Sequence, residues 1–304
     1  MTDKISVIII TRNRAKMLSR CLSSLVSQTI IPDEVVVVDN ASEDNTKKVI
    51  LSFKNKLPIR YVYESRIGIP YARNKGIKVA HGSIILMLDD DCEADKFWIE
   101  KMIKAHQKYP KAWVIQGRAI SKPTEKVYSL YTEFARFLYL RNYTKGKNLN
   151  IKNFFSKGFN KDIELLTCDT RNFSIKSSYL KKYNLLFDEY FYRSSDIDLG
   201  RRIVQKDGLI MFCPDIKVYH WERSTLTQFL EQRWHVGRAS ARLGEKWKLS
   251  SFKVFMPRLG TFITLFTYCK LLKKWHTPPI LTVILLLDRL HRSIGWSYEK
   301  QSNK

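Results

Sequence analysis

Ser83-Ile84-Ile85-Leu86-Met87-Leu88-Asp89-Asp90-Asp91-Cys92-Glu93 is the stretch on which the fold turns. A short apolar run bounded by His81-Gly82 on one side and acids on the other predicts a strand over 83–88, buried on both faces. Carboxylates packed side by side repel, so a strand ending in three of them needs a partner. Alternation along an extended chain would point Asp89 and Asp91 to one side and Asp90 to the other. Two oxygen ligands on one side suit a hard divalent cation carrying phosphates. The plainer alternative is an acidic loop in front of a helix from Glu93 to Lys108, its carboxylates answering the helix dipole.

Working outward, residues 5–10 are β-branched apart from Ser6 and end at Thr11-Arg12-Asn13-Arg14. Met17, Leu18, Cys21, Leu22 and Leu25 then recur at helical spacing up to Pro32. Val35 to Val38 is a second buried strand, closing on Asp39-Asn40, and Ser42 is placed to cap a helix from Glu43 to Phe53. Ile59 to Tyr63 reads as a third strand, Ile69 to Ala80 as a helix, and 83–88 as the fourth strand. This alternation predicts a parallel, doubly wound α/β sheet. Ligands of such sheets sit beyond the carboxyl ends of the strands. Thr11, Asp39 and Asp89 stand at three such ends and are expected to converge on one cleft.

Further along, Trp113 to Ile120 is strand-like, and Tyr128, Tyr131, Phe134, Phe137 and Leu138 give a helix with an aromatic face. Asn142 to Lys161 reads as a polar, basic loop. Order returns at Cys168-Asp169-Thr170-Arg171-Asn172, then at Ser194-Ser195-Asp196-Ile197-Asp198. Two short strands, Leu209 to Cys213 and Ile216 to Tyr219, lead to His220, followed by a helix from about Leu226 to Leu243.

The chain has 304 residues, room for one large α/β domain and an appendage. Its formal charge of +24 implies an anionic partner and says nothing about fold. Over residues 221–304, fifteen Lys or Arg stand against five Asp or Glu. Five scattered cysteines form no CxxC pair, which argues against a disulfide framework or a zinc site and for a reducing compartment. No signal peptide is expected, because Lys4 is followed at once by a strand-like run.

Ser6-Val7-Ile8-Ile9-Ile10-Thr11-Arg12-Asn13 and Val36-Val37-Val38-Asp39-Asn40-Ala41-Ser42 resemble the opening of a family 2 glycosyltransferase. Gly68, Ala72-Arg73-Asn74-Lys75-Gly76-Ile77 and Leu88-Asp89-Asp90-Asp91 continue the likeness. So do Asp196-Ile197-Asp198-Leu199-Gly200-Arg201-Arg202 and Val218-Tyr219-His220, over roughly residues 4–240. The resemblance implies a GT-A (Rossmann-like) fold, here a doubly wound mixed sheet with C-terminal basic, amphipathic helices. It implies inverting, metal-dependent transfer from a nucleotide-sugar donor, with Mg²⁺ or Mn²⁺ as the ion.

The catalytic domain is then expected over 1–245, its nucleotide-sugar half about 1–120 and its acceptor half about 121–245, with a helical tail over 246–304. By the resemblance Asp39 would accept a hydrogen bond from the imide of uracil, which favours a UDP-sugar. Thr11, Arg12, Arg66, Arg73, Asp89 and Asp90 would line the donor site, the guanidinium groups of Arg66 and Arg73 being suited to phosphate. Asp91, with Asp89 and His220, would hold the cation across the diphosphate. Asp196 is the candidate base, in the first turn of a helix that Ser194 would cap, sharing a face with Leu199 and Ile203. The family usually has Glu-Asp where this chain has Ser195-Asp196. Asp198 is expected to pair with Arg202 at i,i+4. Gln232-Arg233-Trp234 has the composition but not the spacing of the processive-synthase motif, so no processivity is read from it.

Two rivals carry less. A nucleotidyltransferase with a GT-A-like fold would normally open with a glycine-rich phosphate loop, where this chain has Thr11-Arg12-Asn13-Arg14. A basic nucleic-acid-binding protein would explain the charge, yet three acidic strand ends in one cleft would repel a polyanion, so nucleic acid is not an expected partner.

In the tail, Phe262 to Leu272 and Ile280 to Leu287 are apolar runs parted by Lys273-Lys274-Trp275. Neither reaches the ~20 apolar residues of a spanning helix. Both suit helices lying in an anionic membrane interface, with Trp275, Trp296 and cations at the headgroups. A helical pair packed on the catalytic domain, or a homodimer contact, is the alternative. Membrane attachment would place the protein at the cytoplasmic, inner face of the cell membrane with a saccharide or lipid-linked acceptor.

Overall fold

Parallel strands β1 (Ile5–Thr11), β2 (Glu34–Asp39), β3 (Ile59–Tyr63) and β4 (Ile84–Leu88) form the half of the sheet that positions the site. The structure is a computed structural model that describes residues 3–122, 127–146, 161–222, 225–248, 259–271 and 278–302. Helices α1 (Ala15–Val26), α2 (Thr46–Ser52) and α3 (Ile69–Val79) connect these strands. The register pairs Thr11 with Asp39 and Asp39 with Tyr63, so these strand ends lie level.

Alternation along the pleat sends successive apolar residues to two covered faces. Val7, Ile9, Val35, Val37, Leu86 and Leu88 pack with Leu18, Leu22 and Leu25 of α1 and Trp98 of α4 (Trp98–Lys108). Ile8 and Val38 face the opposite way, against Gly76 of α3. Helices therefore cover both faces, and every residue of β4 is buried.

The remaining strands turn the sheet mixed. Beyond β4 come β8 (Asn172–Lys176), β6 (Ala112–Lys122), β9 (Leu209–Trp221) and β5 (Cys92–Ala94), with β7 (Ile163–Leu165) paired to β9. The β4–β8 and β6–β8 ladders are antiparallel. Between β8 and β9 lie α6 (Ser177–Tyr183) and α7 (Ser195–Val204).

Several local expectations are corrected. Residues 92–94 form β5, and the helix expected from Glu93 begins at Trp98. A strand of three residues is held by its ladder to β9, not by local propensity. The two strands expected over 209–219 are one, β9. Pro214, which cannot donate to a ladder, sits between the stretch paired to β7 and the stretch paired to β5. Ser42 does not cap α2; its hydroxyl accepts from the Asn13 amide at 3.0 Å. Asn45 is the N-cap residue, and Asp44 beside it accepts from the amides of Thr46 and Ala15. The loop expected over 142–161 falls largely outside the described residues.

The chain divides into two units that are discontinuous in sequence. One comprises residues 1–120 and 160–220 and holds the sheet; the other comprises 121–159 and 221–304. In the second, α5 (Val127–Tyr143), α8 (Leu226–Lys246), α9 (Leu259–Leu271) and α10 (Pro278–Ser302) share a core of Leu130, Phe134, Phe229, Tyr268 and Leu285. Helices α8 and α10 pack so closely that a Cβ on Gly237 would meet the Arg292 carbonyl oxygen at 2.0 Å. A Cβ on Gly295 would meet that of Trp234 at 2.1 Å. Among the described residues no helix is long and apolar enough to cross a membrane. All five cysteines are free and buried.

Candidate functional site

The three carboxylates after β4 do not continue its alternation. The Cys92 amide donates to the Asp89 carbonyl at 3.0 Å, closing a turn over Asp90 and Asp91. As a result one cation spans the two: Arg14 Nη1 lies 2.7 Å from Asp90 Oδ1 and 2.9 Å from Asp91 Oδ2. Thr11 donates its hydroxyl to Asp90 Oδ2 at 2.7 Å. The expected same-side pairing of Asp89 with Asp91 therefore gives way to Asp90 with Asp91. Burial pushes the Asp90 carboxyl up to about 7, Arg14 working against it and Asp91 with it.

Asp89 turns to Arg73 of α3, whose Nη2 is 3.5 Å from Asp89 Oδ1. Desolvation raises the Asp89 carboxyl, Arg73 opposes, and Asp91 and Asp169 add to the rise. Arg73 itself is buried, its guanidinium over the Phe187 ring. Its other end, Nη1, donates to Ser195 Oγ at 3.5 Å, linking the β4 terminus to the start of α7. Asn74 holds the chain leading to α7, its side chain pairing with both the amide and the carbonyl of Phe187 at 2.8 Å.

Helix α7 approaches the 167–168 backbone closely. A Cβ on Gly200 would lie 2.4 Å from the Cys168 nitrogen, so only glycine fits. Thr167 donates its hydroxyl to the Ile197 carbonyl at 3.2 Å. This contact puts Asp196, in the first turn of α7, beside Asp169, which is held by Arg171. Ser194 occupies the N-cap position with φ 61° but makes no capping bond through its side chain. Burial raises the Asp196 carboxyl above the usual range; Arg73 opposes and Asp169 adds. Asp198 is fully buried and pairs with Arg202 Nε at 2.8 Å, the expected i,i+4 pair.

The antiparallel β5–β9 ladder sets His220 opposite Cys92. His220 Nε2 thereby comes within 3.4 Å of Asp91 Oδ1. Ligand atoms of Asp91, Cys92 and His220 all lie within 4.8 Å of one another. A carboxylate and an imidazole converging in this way fit a divalent cation of the Mg²⁺ or Mn²⁺ kind. Burial, then Asp91, pushes the Cys92 thiol well up, and a hard cation of this kind favours the carboxylate and imidazole over a thiol. Asp89 lies outside this cluster.

At the β2 end, Asp39 accepts from the Tyr61 hydroxyl at 3.2 Å and from the Ser42 amide at 3.0 Å. Burial, then Asp39, pushes the Tyr61 phenol up to about 12, so it remains a donor. Asn40 organises the next segment, donating to the Glu64 and Arg66 carbonyls and accepting from the Gly68 amide. Arg66 stacks over Tyr71 and pairs with Glu64 and Glu189, while Arg12 is exposed.

Arg14, Tyr61, Asp169, Arg171 and Ser195 enter the site without having been singled out from sequence. The signal for Arg14 was its place three residues past a strand end. Asp169 and Arg171 flank a short polar stretch that only the β4–β8 ladder, pairing Leu88 with Asn172, brings to Asp89.

Comparison with known proteins agrees with this frame. Validoxylamine A glucosyltransferase of Streptomyces hygroscopicus subsp. limoneus is 33% identical over 138 residues, 43% of this chain and 30% of that protein. Glycosyltransferase AglE of Haloferax volcanii is 37% identical over 102 residues, 32% of this chain and 33% of its own. The chain thus spans about a third of the length of these curated relatives. S. aureus TarS 1-349, solved with UDP, superposes with a TM-score of 0.56 at 18% identity, covering 98% of this chain and 92% of that one. Mannosyltransferase PcManGT from Pyrobaculum calidifontis, solved with GDP-Man and Mn²⁺, gives 0.64 at 15% identity, covering 99% and 88%. These two likenesses establish the fold. The family model for glycosyl transferase family 2 matches residues 6–183, more than half of the chain, and the chain belongs to that family.

Proposed function

We propose that the protein transfers a sugar, with inversion, from a nucleoside diphosphate sugar to a saccharide or lipid-linked acceptor. The observation that carries this reading is the convergence of acids on the strand ends. Asp39 ends β2, Asp89 to Asp91 follow β4, and His220 reaches Asp91 across the β5–β9 ladder. Arg73 connects this group to α7, where Asp196 stands. Solved relatives of this fold carry UDP, UDP-GlcNAc or GDP-Man, which supports a nucleotide-sugar donor and leaves the base to this chain's own residues.

In this reading Asp39 accepts from the uracil imide, backed by Tyr61. Asp91 and His220 would hold Mg²⁺ or Mn²⁺, which would supply positive charge against the departing diphosphate. Arg14 and Thr11 keep Asp90 and Asp91 in place. Arg73 orients Asp89 and, through Ser195, the start of α7. Asp196 takes the proton from the acceptor hydroxyl as its oxygen bonds to the anomeric carbon and the bond to the diphosphate breaks on the opposite face. Asp169 and Arg171 set the charge around that base.

Peripheral contact with an anionic membrane, at the cytoplasmic face, belongs to the same proposal. Helix α10 exposes Ile280, Val283, Leu286, Leu290, Ile294 and Tyr298 along one face of a chain carrying +24. The reading is tested by offering UDP-, GDP- and CDP-sugars with Mn²⁺ and measuring the nucleoside diphosphate released. Release from UDP-sugars is expected; no release from any donor counts against it.

A further inference from the structure

Three guanidinium groups surround a single carboxylate between α8 and α10. Arg233 Nη1 is 3.6 Å from Asp288 Oδ1, Arg292 Nη1 is 3.7 Å from Oδ2, and Arg289 Nε is 4.0 Å from Oδ2. Asp288 is 1% exposed, and Tyr131 is buried beside it. These separations exceed the 2.7–2.9 Å of a charge-assisted hydrogen bond. The same two helices close such pairs where charge permits: Glu299 receives Arg238 Nε at 2.6 Å and Arg242 Nε at 2.5 Å.

At Asp288 the balance is different. Among the described residues three guanidinium groups face the one Asp288 carboxylate. The Nε atoms of Arg233 and Arg292 are buried and have no hydrogen-bond partner among the described residues. A buried donor without a partner costs free energy that an arriving acceptor would recover. Arg289 has its pKa lowered, by burial first and by Arg292 next, as expected where like charges crowd. The side chains nevertheless remain partly exposed, at 16%, 23% and 23% for Arg233, Arg289 and Arg292.

We propose that this cluster binds a phosphate dianion, either inorganic phosphate or a phosphomonoester headgroup, with Arg233 and Arg292 as its principal donors. Tetrahedral oxygens match the planar fork of arginine, and a dianion suits guanidinium groups gathered on a single carboxylate. Asp288 and Tyr131 set the floor of the site. The inference stands on the helical unit alone and is independent of the assignment of the sugar-transfer residues.

The test uses the full chain in EDTA, so that metal-bridged phosphate plays no part. Thermal unfolding is followed against sodium phosphate, with sodium chloride at matched ionic strength as control, and flotation is measured on phosphatidic acid vesicles and on phosphatidylglycerol vesicles of equal charge density. A saturable rise in Tm with phosphate, or binding that prefers phosphatidic acid, is expected; the first identifies a soluble phosphate and the second a lipid headgroup. Either response is expected to weaken at least about tenfold in Arg292→Gln and Arg233→Gln. Asp288→Asn, which removes the carboxylate that all three arginines face, is expected to strengthen it, an effect that a merely structural cluster would not give. Neither response above the controls, or a response unchanged in both arginine variants, overturns the proposal. Should Arg292→Gln fail to fold, a weaker or unchanged response in Asp288→Asn overturns it equally.

Discussion

His220 Nε2 lies 3.4 Å from Asp91 Oδ1, held there by a three-residue strand that pairs Cys92 with His220. If this pair carries the cation, His220→Gln is expected to weaken Mn²⁺ binding by at least about tenfold. Cys92→Ala, which removes a soft thiol that a hard cation does not favour, is expected to leave it unchanged. Titration of the free Mn²⁺ electron paramagnetic resonance signal distinguishes the two variants. Equal affinity in wild type and His220→Gln would remove His220 from the site.

Donor choice rests on Asp39. Calorimetry is expected to show UDP binding more tightly than GDP or CDP, with the preference lost in Asp39→Ala. Tyr61→Phe, which deletes the hydroxyl that donates to Asp39 at 3.2 Å, is expected to reduce the preference without abolishing it. Equal affinities for the three nucleotides in the wild type would sink the uracil reading.

Asp196 and Asp198 sit two residues apart with different surroundings. Asp196→Asn is expected to retain donor and metal binding and to lose turnover by about 10²–10⁴-fold, the scale of general base catalysis. Because burial raises the Asp196 carboxyl, the acid limb of the kcat profile is expected above the ordinary carboxylate range, falling as pH drops through that raised pKa. Asp198→Asn instead strands Arg202, from which it accepts at 2.8 Å, and is expected to cost about 3 kcal/mol of stability with little change in rate. Rate and urea-unfolding measurements on both variants check this division, and a reversed pattern would move the base to Asp198.

His106 of α4 gives a pH signature in stability. It is buried, its Nε2 2.8 Å from Ser174 Oγ, and burial lowers its pKa from 6.5 to about 4. Between those values the unfolded chain takes up a proton that the fold refuses. The stabilising contribution is therefore present above about 6.5 and is lost as pH falls towards 4. Between pH 7.5 and 5, wild type is expected to lose about 2 kcal/mol more than His106→Gln in urea unfolding. Parallel losses in the two proteins would contradict the assignment.

Much of the sheet was legible because β1, β2 and β4 are dense β-branched or apolar runs that end in polar residues. Their burial on both faces follows from composition alone. What sequence did not reveal is non-local. The turn that pairs Asp90 with Asp91 depends on Arg14, which lies 76 positions earlier in the chain than Asp90. Strand β5 exists by virtue of β9, and Asp169 reaches Asp89 through the β4–β8 ladder. Helix α10 runs well past the apolar stretch 280–287 because Glu299 finds Arg238 and Arg242 on α8. No local propensity encodes such partners.

Cation-dependent cleavage of a nucleotide sugar at Asp91 is the claim on which the proposed function depends. The direct measurement is nucleoside diphosphate release from a UDP-sugar, in Mn²⁺ and in EDTA, for wild type and Asp91→Ala. Release in Mn²⁺, its loss in EDTA with recovery when the metal is restored, and a drop of orders of magnitude in folded Asp91→Ala is the result expected. Undiminished release in EDTA, or a wild-type rate in Asp91→Ala, would contradict it.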